Sequence, residues 1–557
     1  MSPIRFALFS CLLLPITTAF AQVPTPAPGS VQIRDQLERM AAAEAGAPRP
    51  RNQVSAQDLQ AFYEQAGFEP LWNESGRLSA LITELELIAD DGLQPDDYAV
   101  EPLLKILANP ARESAADPDE EPDPARSCEE ILATHAYLQA LTHLRYGKLD
   151  PEGVEPYWQF DGARTNPDVA AIGKLALEHI ADLGTAFEQA RPELAQYAAL
   201  RKAFVTLRDK TAESGWPEVP GGPSLRAGET SERVPALRQR LGLGGYGRTE
   251  APESADAAVF DPQLVDAVMR FQRDHGLEPD GVVGRATLNA LNVPLAARVE
   301  QLKVNLERTR WFARRAVSDF VLVDVAGARI SYFRDGESVW SARTQVGRPS
   351  RPTPLLRSEI THFTLNPTWT VPPTILREDK LPAIQADIGY LERNRFRVLD
   401  ASGIQIPPEE IDWNHPGAIN LRQDAGPGNA LGQVVVRFPN PFSVYLHDTP
   451  SRGLFARDSR AFSSGCVRVE GAVSLVEQLL ADRSEIGPER FQEMLASGRT
   501  RRVNLDRPIP ILIGYWTASV TDEGRVGFRR DIYGHDRRVA AALAKHRALG
   551  SGKTACP

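Results

Sequence analysis

The apolar residues of this chain change their period once, near residue 316. Before that point they recur at helical spacing; after it they form short β-branched runs broken by Gly, Pro, Asn and Asp. The two patterns bury different faces, so one chain segment cannot satisfy both. The sequence therefore predicts a multidomain α+β protein, helical first and mainly β afterwards. Two Pro/Gly-rich stretches, 22–50 and 216–230, divide the helical part further. A length of 557 residues accommodates about three or four domains.

Residues 22–50 read as a Pro/Ala-rich tether. Residues 51–215 read as a helical scaffold without recognisable chemistry; Ile131, Leu138, Leu141 and Leu144 line one face of a helix within it. The acidic stretch 113–123 reads as a solvated loop. Residues 231–292 form a compact helical unit. There Asp261 is the expected N-cap, Pro262 the first helical residue and Gly276 the stop. From 317 to 520, strands are expected at 320–325, 328–333, 337–346, 360–365, 432–438, 442–447 and 508–516, with an insertion at about 370–430. Residues 521–557 read as a solvated basic tail.

Composition narrows the function class. Hydrophobic residues make up 42% and charged residues 24%, which excludes disorder or a multi-span membrane protein as a description of the whole. The 63 Lys and Arg against 73 Asp and Glu give −10, so no generic attraction to nucleic acid is expected. Arg5, the apolar run Phe6 to Ile16 and Ala19-Phe20-Ala21 read as an export signal, residues 1–21, with Gln22 the mature start. An uncleaved anchor is the alternative; no later segment has the length and apolarity of a span, so no integral membrane domain is expected after cleavage. Cys11 lies inside the signal, leaving Cys128, Cys466 and Cys556. Cys128 and Cys556 are able to pair, and an odd count leaves a free thiol.

In the helical unit, Val234 to Leu241, Ala267 to Gln272, then Leu277, Asp280, Gly281, Gly284, Thr287, Ala290 and Leu291 form an ordered phrase that resembles the small three-helix peptidoglycan-binding domain. The resemblance implies a wall-binding accessory module, without naming ligand residues.

The chemistry concentrates between 445 and 470. A strand ending at Leu446 delivers His447, and Ser463-Ser464-Gly465 makes a turn before Cys466. A helix follows, with Ala472, Leu475, Val476, Leu479 and Leu480 as its apolar positions. A free thiol has a pKa of about 8.5 and is a poor nucleophile at neutral pH. A neighbouring imidazole remedies that as general base or as ion-pair partner. Gly465 permits a tight turn, and amides around Ser464 to Cys466 are candidates to hold an oxyanion. Taken singly, a Cys is most often a small buried hydrophobe and a strand-end His structural.

The whole string resembles the active-site signature of the YkuD-type L,D-transpeptidase catalytic domain, in its long YcbB-like subgroup. Ser464 stands where many members have His, and Arg468 where many have Asn; both fit the long subgroup. The resemblance implies a mainly β catalytic domain with an inserted lid-like subdomain, and acyl transfer on peptidoglycan stem peptides. Cys466 would attack the third-residue carbonyl of a tetrapeptide stem, D-Ala would leave, and an amine would open the thioester to give a 3→3 cross-link, His447 moving the protons. Tyr445 would position His447 or donate to the oxyanion. Arg468 would clamp a stem carboxylate or serve in a structural ion pair. Trp369, in Asn366 to Pro373, is a groove wall or a core aromatic. The His and Cys positions lack zinc-type spacing, so neither metal nor cofactor is expected. The resemblance implies a periplasmic, wall-associated protein and admits other wall synthases as partners. Two rival readings stay open: an L,D-carboxypeptidase or other cysteine hydrolase of the wall, and a non-catalytic wall-binding scaffold.

Overall fold

The computed structural model describes residues 28–46, 52–74, 76–109, 124–156, 158–159, 167–213, 216–248, 257–313 and 318–545. The export signal, the acidic stretch 113–123 and Cys556 lie outside the described residues; Cys128 lies within them and is held in a disulfide. Among the described residues no helix is long and apolar enough to cross a membrane.

The β half closes on itself. Around the ring the order is Leu355–Leu365, Arg501–Gly514, Phe320–Asp324, Arg329–Arg334, Glu337–Gly347, Val467–Val469, Leu446–His447, Val434–Arg437 and back to Leu355–Leu365. Closure leaves few exposed strand edges. Two of the pairings are parallel: Arg501–Gly514 with Phe320–Asp324, and Leu446–His447 with Val467–Val469. Alternation buries Val321, Val323, Ile330, Tyr332, Val467 and Val469 in one core. The expected Asp335-Gly336 turn forms with φ of 52° and 81°, the left-handed pair that a two-residue hairpin needs. Helix Ala472–Arg483 packs Leu475, Val476, Leu479 and Leu480 onto the same core.

The 370–430 insertion holds more than short helices. Trp369–Thr370, Asn420–Gln423 and Phe396–Leu399 form a separate three-stranded sheet. Its own core includes Trp369, Ile384, Leu391, Phe396 and Leu421.

In the small helical unit, Asp261 caps Pro262–Asp274 by accepting from the Leu264 amide at 2.8 Å. Gly276 follows with φ 69°. The Gln272 side chain donates to Asp280, Val282 and Thr287 and accepts from the Gly281 amide. The ordered phrase of the sequence thus has a local cause: one buried amide ties the last two turns together.

Three boundaries differ from the sequence reading. Residues 28–44 are not a tether but helix Pro28–Glu44, because Ile33, Leu37 and Met40 make a stripe that packs into the helical core. Residues 295–313, between two expected domains, form the helix Leu295–Ala313 that joins them. It buries charge as well as hydrocarbon: Glu307 accepts from the Leu149 amide at 2.7 Å and from Arg310 at 2.9 Å, and Arg308 pairs with Glu155 and Asp536. Residues 521–545 are not a loose tail. The hairpin Ala518–Val520 and Val526–Phe528 and the helix His535–Lys545 are built into the fold, with Val539 and Leu543 buried in the barrel core.

Candidate active site

Two short parallel strands create the site. Leu446 pairs with Val467 and His447 with Arg468. Leu446 and Val467 point into the barrel core and are fully buried. Their neighbours therefore face the other way: Tyr445 and His447 from one strand, Cys466 and Arg468 from the other. The Val467 amide donates to the Tyr445 carbonyl at 3.1 Å, which sets Cys466 beside Tyr445. The Tyr445 and His447 rings meet edge to face, with centroids 5.6 Å apart. By register, four polar residues thus lie on one face, with Cys466 diagonal to His447; among the described residues no hydrogen bond joins the thiol and the imidazole. The expected strand from 442 shrinks to Leu446–His447, because Asn440 closes a turn by accepting from the Phe442 and Val444 amides.

His447 is 5% exposed. Its Nδ1 lies 2.6 Å from the Asp448 carbonyl. A carbonyl only accepts, so Nδ1 carries the proton and Nε2 keeps a lone pair. Burial, then the charges of Arg468 and Arg437, push the imidazole down to about 3, against the opposing pull of the Asp448 carbonyl. Cys466 is a free, half-buried thiol. Burial raises its pKa, opposed by hydrogen bonds from the Tyr445 amide and hydroxyl and by the charges of Arg437 and Arg468. The resting pair is a neutral thiol beside a neutral imidazole. Of the two roles open to the imidazole, this favours general base over ion-pair partner.

The flanking residues divide differently from expectation. Gly465 has φ 110°, which explains glycine there. Its amide, however, donates to Ser463 Oγ at 3.1 Å, and its carbonyl accepts from Thr353 Oγ1 at 2.9 Å. That amide is committed and is not an oxyanion donor. Ser464 Oγ accepts from Arg351 at 2.8 Å. Arg351 also pairs with Glu378 and Asp379 of the insertion, and Arg348 pairs with Asp379 at 3.2 Å. Ser464 is thus tied to a clasp between barrel and insertion, which nothing in the spacing of Arg348 and Arg351 announces.

Arg468 makes no carboxylate pair among the described residues. It donates to Gln345 at 3.0 Å, and its Nε is buried without a partner. The structural ion pair weighed for it is absent among those residues. Trp369 is 8% exposed within the insertion core, so it is a core aromatic rather than a groove wall. Its bearing on the site is electrostatic: burial and Cys466 raise the pKa of the Tyr445 hydroxyl, and Trp369 lowers it. Arg437 escaped the sequence reading; its guanidinium lies 4.3 Å from the Tyr445 ring centroid, and a basic residue at a strand end gives no signal of that.

Comparison with known proteins gives three matches along the chain. Residues 318–490 match the family described as the L,D-transpeptidase catalytic domain. Residues 230–291 match "Putative peptidoglycan binding domain", and 57–204 match "Scaffold domain". A Haemophilus influenzae protein named "Putative L,D-transpeptidase" is 32% identical over 297 residues, covering 51% of this chain and 58% of that protein. The chain thus matches less than two thirds of that relative's length. A solved L,D-transpeptidase from Stackebrandtia nassauensis is 13% identical, covers 54% of this chain and 96% of its own, and has a TM-score of 0.21. One from Xylanimonas cellulosilytica is 17% identical, covers 53% and 100%, and has a TM-score of 0.17. At these TM-scores neither bears on the fold. The chain carries a helical N-terminal region, a peptidoglycan-binding domain and a mainly β L,D-transpeptidase catalytic domain.

Proposed function

We propose that this chain is an exported, periplasmic L,D-transpeptidase that forms 3→3 cross-links between peptidoglycan stems through a thioester on Cys466. What supports the reading is the register that sets His447, in one parallel strand, diagonally from Cys466, which directly precedes the other, inside the matched catalytic domain.

The chemistry follows from the resting charges. Nε2 of His447 takes the thiol proton as Sγ attacks the carbonyl carbon of the third stem residue. The proton then passes to the nitrogen of the departing D-Ala, and the C–N bond breaks to leave the thioester. An amine of a neighbouring stem attacks next; it loses its proton to His447, and the C–S bond breaks, returning the thiol. Tyr445 donates to the sulfur and positions it. Arg468, with an unpartnered buried Nε, takes the stem carboxylate; an aligned guanidinium–carboxylate pair is among the stronger charge-assisted contacts.

Incubation with tetrapeptide-stem dimers, followed by mass analysis of the products, tests the reading. Cross-linked product with loss of D-Ala is expected. Release of D-Ala with tripeptide product alone would identify a hydrolase. Neither product would leave a wall-binding scaffold. In a sacculus assay, Cys466→Ala is expected to abolish cross-links, and undiminished activity would remove the nucleophile assignment.

A further inference from the structure

A cavity of about 1150 Å³ lies between the small helical unit, helix Leu295–Ala313, the hairpin ending at Phe528 and the barrel. It does not include the Cys466 patch, but Ala461, at the start of the strand leading to that patch, lines it. Its walls hold a group of cations, of which Arg298 is buried and Arg460 and Arg529 are half-buried. Arg298 is 5% exposed, stacks on Phe528 with the guanidinium 4.5 Å from the ring centroid, and has a buried Nε without a partner. Arg460 donates to the Gly327 and Arg457 carbonyls, and its Nε is likewise buried and unpartnered. Arg529 donates to the Asp274 carbonyl. Among the described residues none of the three pairs with a carboxylate.

Carboxylates offset them only in part: Asp458 acts on Arg460, and Asp324 and Asp274 act on Arg529, while no carboxylate bears on Arg298. Asp536 is engaged by Arg308 and Thr517, Asp531 by Tyr515, and Asp458 by the Glu278 amide. Glu300 remains, against Arg285 and Arg537 on the same lining. Burial draws all three inner arginines below their ordinary pKa, Arg298 to about 10. A buried guanidinium without a counter-charge is costly. An anion entering the cavity would supply one, and guanidinium donors suit a carboxylate in two-point contact.

We propose that this cavity is a second binding site, taking a free carboxylate of a wall stem peptide. It holds the polymer between the wall-binding unit and the strand that carries the nucleophile loop. Only the identity of the polymer rests on the function proposed above; the preference for a carboxylate rests on the arginines.

The test uses the full chain with Cys466→Ala, so that no turnover occurs. Calorimetric titration compares a tetrapeptide stem with free carboxylates, the same stem with every carboxylate amidated, and inorganic phosphate. Two saturable sites are expected for the free stem. Arg460→Gln should weaken one of them by about tenfold or more, the scale of losing one buried charge contact. Arg537→Glu, at an exposed helix position, should weaken the same site and guards against misfolding of the first variant. Unchanged binding in both variants overturns the proposal, as does equal binding of the amidated stem. Phosphate that displaces the stem from this site at lower concentration assigns the site to phosphate and overturns the carboxylate. Arginine-dependent stem binding by a wild-type chain that makes no cross-link would uphold the cavity while the function proposed above fails.

Discussion

His447 stands directly opposite Arg468 across the parallel strand pair. The proposed base therefore works beside a fixed cation, and that cation, after burial, holds the imidazole down near 3. The ordinary value is 6.5, so the unfolded chain takes up this proton first as pH falls. His447 accordingly contributes stability that is whole above about 6.5 and drains away as pH falls towards 3. Catalysis has the same sign, since only the neutral ring accepts a proton. Arg468→Gln should move the acid limb of the pH–rate profile upward, though not to 6.5, because burial remains. An unmoved limb would mean that Arg468 does not govern the imidazole.

Burial raises the Cys466 thiol, so its thiolate is scarce at neutral pH. Alkylation by iodoacetamide should therefore be slow at pH 7 and rise with a midpoint above that of an ordinary cysteine. Tyr445→Phe removes the hydroxyl that favours the thiolate and should push the midpoint higher still. A midpoint below the ordinary range would point instead to a preformed ion pair.

The clasp of Arg348 and Arg351 on Glu378 and Asp379 holds the insertion to the barrel beside Ser464. Exposed ion pairs contribute little one by one, but Arg351 joins two carboxylates and a hydroxyl. Arg351→Ala should speed amide hydrogen exchange across 373–386 and open Cys466 to bulky thiol reagents, leaving the global melting temperature nearly unchanged. Equal exchange in both proteins would show that the insertion is held by its apolar core alone.

Glu307 is fully buried and satisfies the Leu149 amide, Trp311 Nε1 and Arg310. Glu307→Gln leaves Arg310 Nη1 with a weaker partner, and Glu307→Leu leaves that nitrogen none, while Tyr197 and the Asp91 carbonyl still hold the rest of the guanidinium. Removing one partner of a buried pair typically costs about 3–5 kcal/mol, so urea unfolding should rank wild type above Gln and Gln above Leu. A Leu variant as stable as wild type would mean that the joining helix is held by hydrocarbon packing alone.

The sequence carried the site further than it carried the domain joints. His447 and Cys466 are legible because the string around them is local, and the strand and turn that present them are set by near neighbours. Their resting charges are not legible, because burial and the Arg468 and Arg437 fields depend on strands brought together from a distance. Gly465 was readable as a turn, but its amide was taken by Ser463 Oγ, a choice that only the folded loop makes. Trp369 kept a connection to the site through Tyr445 rather than by lining a groove. Helix Leu295–Ala313 eluded the pattern because it is buried nearly all round, so it shows no single apolar face. Basic residues likewise disguised His535–Lys545, whose Val539 and Leu543 sit in the barrel core.

Intact-protein mass spectrometry during single turnover with a tetrapeptide-stem donor reaches the central claim most directly. Wild type should gain one acyl group equal in mass to the donor less D-Ala, mapped by proteolysis to Cys466, and lose it when an acceptor amine is added. Cys466→Ala should show no adduct, and His447→Ala should form it far more slowly while remaining folded. An adduct at another residue, or cross-linked product from the Cys466→Ala chain, would contradict the account.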